Sequence, residues 1–244
     1  MSSRFPQIKF CGVRTLADVQ AVNELLAEEV PGVQALAYVG FVFYPPSKRA
    51  VTTDEAAFLA KALNPQLAKV GVFVDEPLEN VVRLHKEGTI DVAQLHGSET
   101  ASYLDQLRAS APQLQIWKAC EVASREHAQA ALQIPADLLL LDAGKGSGET
   151  FDWSFAQEVA QVHDQARSQA QSCMKARAWG LAGGMNARTV KSALAAFTPQ
   201  FPQLIDVSSG IEGAPSEEGL SCKSPQRMRE FLRVVDEEVK RWQA

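Results

Sequence analysis

Eight short apolar runs, each followed by a longer stretch with helical spacing, constrain this chain more than any other feature of its sequence. The runs fall at 8–11, 36–43, 69–74, 92–95, 115–119, 138–142, 178–182 and 204–207. Helical spacing follows over 16–28, from about 53, from 76–77, over 100–109, from about 124, from about 154, over 186–197 and from 224–225. Thr53, Asp54 and Glu55 offer an N-cap and an acidic first turn, and Pro77 suits a first helical turn. Strand-then-helix repetition means parallel strands joined by helical crossovers. Eight such units in 244 residues predict a single-domain α/β fold, a closed (β/α)8 TIM barrel. The competing arrangement is an open doubly wound sheet, which carries a glycine-rich phosphate loop after its first strand. Here that turn reads Cys11-Gly12-Val13-Arg14, which favours the barrel. A polar stretch at about 164–178 lacks an apolar stripe. It reads as an insertion before the seventh strand, either lengthening the sixth helix or forming a surface loop.

Charge and cysteine spacing narrow the function classes. With 24 Lys+Arg against 29 Asp+Glu, the net charge is −5. A mildly acidic chain lacks the basic field that nucleic-acid binding needs, so no nucleic-acid partner is expected. No apolar run approaches the roughly 18 residues of a membrane span, so no membrane partner is expected either. Lys9 interrupts the short apolar stretch near the N-terminus, and no signal peptide is read there. Cys11, Cys120, Cys173 and Cys222 lie far apart with no CxxC pair, which argues against a zinc site or a disulfide framework. The expected compartment is the reducing cytoplasm.

In such a barrel the active site lies at the C-terminal ends of the strands, and the loops after strands seven and eight hold phosphate. Those loops read Gly183-Gly184 and Ser208-Ser209-Gly210, whose amides and hydroxyls suit an anion, so a phosphorylated substrate is expected. Alternation along strand one puts Lys9 and Cys11 on one face and Ile8 and Phe10 on the other. The polar pair is expected to face the barrel interior. Cys11 is then either a small buried apolar residue or a reactive thiol, and a neighbouring ammonium would favour its thiolate. An inward Lys9 needs a partner, and Asp206 on adjacent strand eight has the right parity for an ion pair. Asp142, closing a strand of leucines, is either a turn cap or a general acid with a pKa raised by apolar surroundings. Arg49 is an exposed loop charge or a bidentate carboxylate clamp. Gln94 and His96 are candidate substrate contacts, and His96 reads equally well as a hydrogen-bonded residue of the mouth. His85 and His163 are expected on helix surfaces. Cys120 reads as barrel packing, and Cys173 and Cys222 as incidental.

These segments, taken in order, resemble the phosphoribosylanthranilate isomerase family of tryptophan biosynthesis. The resemblance rests on KFCG at 9–12, GFVFYPPSKR at 40–49, VGVFV at 70–74 and QLHG at 94–97. It continues through Leu141-Asp142 with GSGETFDW at 146–153, AGGMN at 182–186 and DVSSGIE at 206–212. It implies a (β/α)8 barrel that rearranges N-(5′-phosphoribosyl)anthranilate to 1-(2-carboxyphenylamino)-1-deoxyribulose 5-phosphate. The positions matching the family's general base and general acid are Cys11 and Asp142, and Arg49 matches an arginine on the anthranilate side. The implied partner is this small-molecule substrate, with no cofactor and no metal, in a monomer or homodimer. Three departures stand out. Arg14 occupies a position that is commonly Thr, Lys145 replaces the first glycine of a pair, and the loop after Gly210 is long. Two other readings are a different phosphosugar aminoaldose–ketose isomerase and an inactive phosphate-binding paralogue. Enzymes of the first kind typically use two aspartates, which the cysteine at position 11 disfavours.

Overall fold

The computed structural model describes residues 6–122, 124–142, 154–168, 178–197, 202–214 and 222–243. The strands are β1 (Gln7–Cys11), β2 (Leu36–Val42), β3 (Ala68–Phe73), β4 (Val92–Leu95), β5 (Gln115–Glu121), β6 (Leu138–Asp142), β7 (Trp179–Ala182) and β8 (Leu204–Val207). Each is followed by a helix: α1 (Leu16–Ala27), α2 (Thr53–Ala62), α3 (Leu78–Lys86), α4 (Ala101–Ser110), α5 (Arg125–Ala131), α6 (Ser154–Ser168), α7 (Thr189–Ala196) and α8 (Pro225–Gln243). The strands close into a barrel in sequence order, every pair parallel, with β8 against β1. The expected (β/α)8 architecture is the one found.

Alternation sorts the strand side chains into two cores. Ile8, Phe10, Phe41, Leu139, Leu141 and Ile205 pack outward on helix residues such as Val22, Leu25 and Phe231. Val70, Val92, Trp117, Leu138, Leu140 and Leu204 fill the inside, where Tyr38 meets Trp117 edge-on at 4.8 Å. Each large side chain buried in either layer contributes roughly 1.5–3 kcal/mol of transfer free energy. Because the strand interior is filled from below, polar side chains are left to the upper rim.

Several helix starts differ from the sequence reading. The N-cap of α2 is Thr52, not Thr53, and Thr52 forms a capping box with Glu55. Pro77 is the N-cap of α3 and the helix proper begins at Leu78. α7 begins at Thr189 because Asn186 Oδ1 accepts from the amides of Arg188 and Thr189, holding 186–188 in a turn. The first part of the polar stretch, through Ser168, continues α6. Residues 169–177, with Cys173, and the segment 143–153, with Lys145 and the GSGETFDW motif, lie outside the described residues.

Candidate active site

Lys9 and Cys11 face the barrel interior, as strand parity requires. Lys9 is fully buried, and its Nζ lies 2.8 Å from Asp206 Oδ1. The two residues are register partners across β1 and β8, so the pairing follows directly from the strand alignment. Burial opposes the ammonium, but the Asp206 carboxylate and the adjacent thiol hold its pKa above the ordinary lysine value.

Lys9 pulls the Cys11 thiol in the expected direction, yet the net shift runs the other way. A lysine neighbour was expected to favour the thiolate. Burial and the Asp206 charge instead push the Cys11 thiol up, and Lys9 offsets only part of this. Burial is the largest cause, and the Asp206 charge paired with Lys9 adds to it. The thiol therefore experiences a buried ion pair, not a free cation.

Asp142 closes β6 with its side chain about one-fifth exposed, and His96 Nε2 lies 3.4 Å from its Oδ2. Cys11, Asp142, Gln94, His96, Arg49, Gly183, Gly184, Ser208 and Ser209 all line one cavity of about 570 Å³ at the C-terminal mouth. The sequence candidates thus converge on a single chamber, with one exception. Gly210 is absent from its wall, and a Cβ there would collide with the Met185 carbonyl. Its role is to let the turn after β8 press against the turn after β7.

Gly183 and Gly184 both adopt positive φ, 82° and 61°, a conformation that side chains disfavour. The Gly184 carbonyl accepts from Thr189 Oγ1 at 2.9 Å and Asn186 Nδ2 at 3.2 Å, which fastens the turn. The Ser208 hydroxyl donates to the Cys11 carbonyl at 3.1 Å, so its hydrogen is committed within the protein and ties the end of β8 to the end of β1.

Arg49 is neither an isolated loop charge nor an unoccupied clamp. Its Nε and Nη2 donate to Glu212 Oε1 and Oε2 at 2.5 and 3.0 Å. Glu212 also accepts from Lys223 Nζ at 3.0 Å. Burial works against the Glu212 carboxylate, yet Arg49 and Lys223 hold its pKa below the usual range. Burial lowers the pKa of Lys223, with Glu212 and Cys11 opposing. Sequence reasoning missed both residues. Glu212 ends the DVSSGIE segment, a usable signal, whereas Lys223 has no motif of its own. His85 was expected on the surface, but it is half-buried with Nδ1 3.2 Å from the Ile90 carbonyl. Burial raises the Cys120 thiol to about 11, consistent with packing, and Cys222 is exposed.

A family model described as N-(5′-phosphoribosyl)anthranilate (PRA) isomerase matches residues 8–233. The chain is 34% identical over 240 residues to the N-(5′-phosphoribosyl)anthranilate isomerase of Acetivibrio thermocellus, covering 94% of this chain and 95% of the relative. It is similar to the crystal structure of phosphoribosyl anthranilate isomerase from Thermotoga maritima, with TM-score 0.75 and 28% identity, over 96% of this chain and 100% of that one. It is also similar to a crystal structure of a phosphoribosyl anthranilate isomerase in complex with reduced 1-(o-carboxyphenylamino)-1-deoxyribulose 5-phosphate. That likeness has TM-score 0.72 and 27% identity, over 96% and 100% of the two chains.

Proposed function

The chain belongs to the N-(5′-phosphoribosyl)anthranilate isomerase family, and from that premise we infer that Cys11 and Asp142 are the base and acid of its reaction. The enzyme converts N-(5′-phosphoribosyl)anthranilate into 1-(2-carboxyphenylamino)-1-deoxyribulose 5-phosphate, an Amadori-type isomerisation in tryptophan biosynthesis. The observation that carries the residue assignment is that Cys11 and Asp142, on β1 and β6, line the same cavity as the two loops suited to phosphate.

Asp142 donates its proton to the ribose ring oxygen. The bond from that oxygen to C1 breaks and the anthranilate nitrogen supplies the electron pair, giving an open-chain Schiff base. The Cys11 thiolate then removes the proton from C2, and the electrons move onto the nitrogen to leave an enolamine. Tautomerisation of the enolamine gives the ketone. Hydrogen and electrons move within one molecule, so the balance calls for no external oxidant or reductant. Acid and base must reach different atoms of a small substrate, which groups on separate strands of one mouth can do. The raised thiol pKa keeps Cys11 protonated at rest, and a stronger base results once it ionises.

Gly183, Gly184, Ser208 and Ser209 receive the phosphate, with Gly210 supporting their approach. Gln94 and His96 contact the sugar, and Arg49 takes the anthranilate carboxylate. Among the described residues no helix is long and apolar enough to cross a membrane. We place the enzyme in the cytoplasm as a monomer or homodimer acting on a small molecule, without nucleic-acid or membrane partners.

The test is consumption of phosphoribosylanthranilate by purified protein, followed by the anthranilate fluorescence change with no added cofactor. Absence of turnover in the unmodified protein would overturn the functional reading. Normal turnover in Cys11→Ala would overturn only the assignment of the base.

A further inference from the structure

Resting on the assignment of Arg49 to the substrate carboxylate, we propose that Glu212 is a positioning residue that aims Arg49, while Lys223 keeps the aimed guanidinium attractive to an anion. Arg49 comes from the loop after β2 and Glu212 from the turn after β8, 163 residues apart in sequence. Their two parallel hydrogen bonds use the Nε hydrogen and one Nη2 hydrogen, which fixes the plane of the guanidinium. Among the described residues nothing accepts from Nη1. The end-on edge, with one hydrogen on each terminal nitrogen, is left to receive a second carboxylate. A substrate carboxylate therefore adds to the fork without displacing Glu212.

Packing fixes the other side of the arginine. A Cβ on Gly12 would lie 2.5 Å from Arg49 Cδ, so the arginine stem crosses the residue next to Cys11. Steering the guanidinium therefore steers the anthranilate end relative to the base.

An arginine neutralised by a glutamate would attract a carboxylate weakly. Lys223 resolves this conflict. Its side chain is 1% exposed, and Nζ donates to Glu212 Oε1 and to the Ser208 carbonyl, each at 3.0 Å. Arg49, Glu212 and Lys223 together carry one net positive charge. Lys223 is held in turn by its amide, which donates to Asp18 Oδ1 at 2.7 Å. The other Asp18 oxygen accepts from the amides of Arg14 and Thr15 at the start of α1. Backbone bonds from Gly213 to Cys222 and from Ser224 to Ile211 brace the two segments carrying Glu212 and Lys223. The arrangement explains specificity for an aminoaldose whose aromatic ring bears a carboxyl.

The experiment compares phosphoribosylanthranilate with its aniline analogue, which lacks the carboxyl, in wild type and Glu212→Gln. For the anthranilate substrate KM rises about tenfold, the size of a lost charged hydrogen bond, with a much smaller change in kcat. For the aniline analogue the two proteins have matching KM. In an Arg49→Ala background, Glu212→Gln adds no further rise peculiar to the anthranilate substrate, because Glu212 reaches its carboxylate through the arginine. Glu212→Asp keeps the charge but withdraws it by one methylene, and it shows the same split at smaller size if Glu212→Gln folds poorly. An unchanged KM for the anthranilate substrate, or equal rises for both substrates, overturns the proposal in favour of a purely structural role. Failure of wild type to turn over phosphoribosylanthranilate would instead overturn the functional reading beneath it.

Discussion

The two flanks of the mouth are built differently. On the flank formed by β8, β1 and β2, Lys9, Asp206, Arg49, Glu212 and Lys223 surround Cys11 in ion pairs of 2.5 to 3.0 Å. The lysine side chains there are 0% and 1% exposed. On the flank formed by β4 and β6, Asp142 faces His96 at 3.4 Å, with the histidine side chain 42% exposed. A thiol buried in the barrel and acting as the proposed base cannot rely on water to set its charge balance, so fixed charges must do it. If Asp142 is the acid proposed above, it gives up a proton in each cycle and must recover one, and nearness to solvent serves that need. The charges around Cys11 are buried, whereas the Asp142–His96 pair keeps access to solvent.

Removing the reacting groups gives the largest expected effects. Cys11→Ala should lower kcat by about 10⁴-fold, at the upper end of general-base contributions. Asp142→Asn should lower it by about 10³-fold, with less damage because water at the more open flank can supply a proton. Both are read by fluorescence under saturating substrate. If the aspartate variant loses more than the cysteine variant, the asymmetry between the flanks is reversed. Near-wild-type rates in both would remove the acid–base assignment altogether.

The charged frame has its own signature in stability and pH. Asp206→Asn leaves fully buried Lys9 without its counter-ion and should cost about 3 kcal/mol, seen as a lower urea midpoint at unchanged m value. The pH dependence follows from the thiol. As the proposed base, Cys11 must ionise to act and its pKa is raised, so kcat/KM should keep climbing with pH past the ordinary thiol value of about 8.5. The Asp206 charge raises that pKa, while Lys9 lowers it. Removal of Asp206 should therefore shift the rising limb to lower pH while Lys9 keeps its proton. A limb that stays in place in Asp206→Asn would mean that burial alone sets the thiol, and the charged frame would lose its catalytic meaning.

The same contrast explains what could be read without coordinates. The alternation of apolar runs is a local signal, and β4, β6 and β8 have the bounds read from sequence. The Lys9–Asp206 pair was legible because two rules, strand parity and closure of β8 on β1, place both residues inward at one level. Arg49, Glu212 and Lys223 lie on loops, where no periodicity relates position to direction, so their meeting could not be derived. The net direction of the Cys11 shift was hidden for a related reason. Residue types reveal which charges are near, but the outcome depends on whether the lysine is already satisfied and how deeply the thiol is buried. The Asn186 turn that delays α7 was equally hidden, since its side chain competes with the backbone only in the folded geometry.

The smallest expected effect offers the sharpest test of the open flank. His96 touches Asp142 across 3.4 Å with its own side chain 42% exposed. A pair of that kind is screened by solvent and contributes roughly 0–1 kcal/mol, at most about a fivefold change in rate. His96→Asn should therefore lower kcat by no more than about fivefold, measured beside Asp142→Asn under the same conditions. A loss approaching that of the aspartate variant would show that the histidine holds or recharges the acid far more tightly than its exposure implies. The β4–β6 flank would then be as firmly constructed as the flank around Cys11, and solvent access would no longer explain the difference between them.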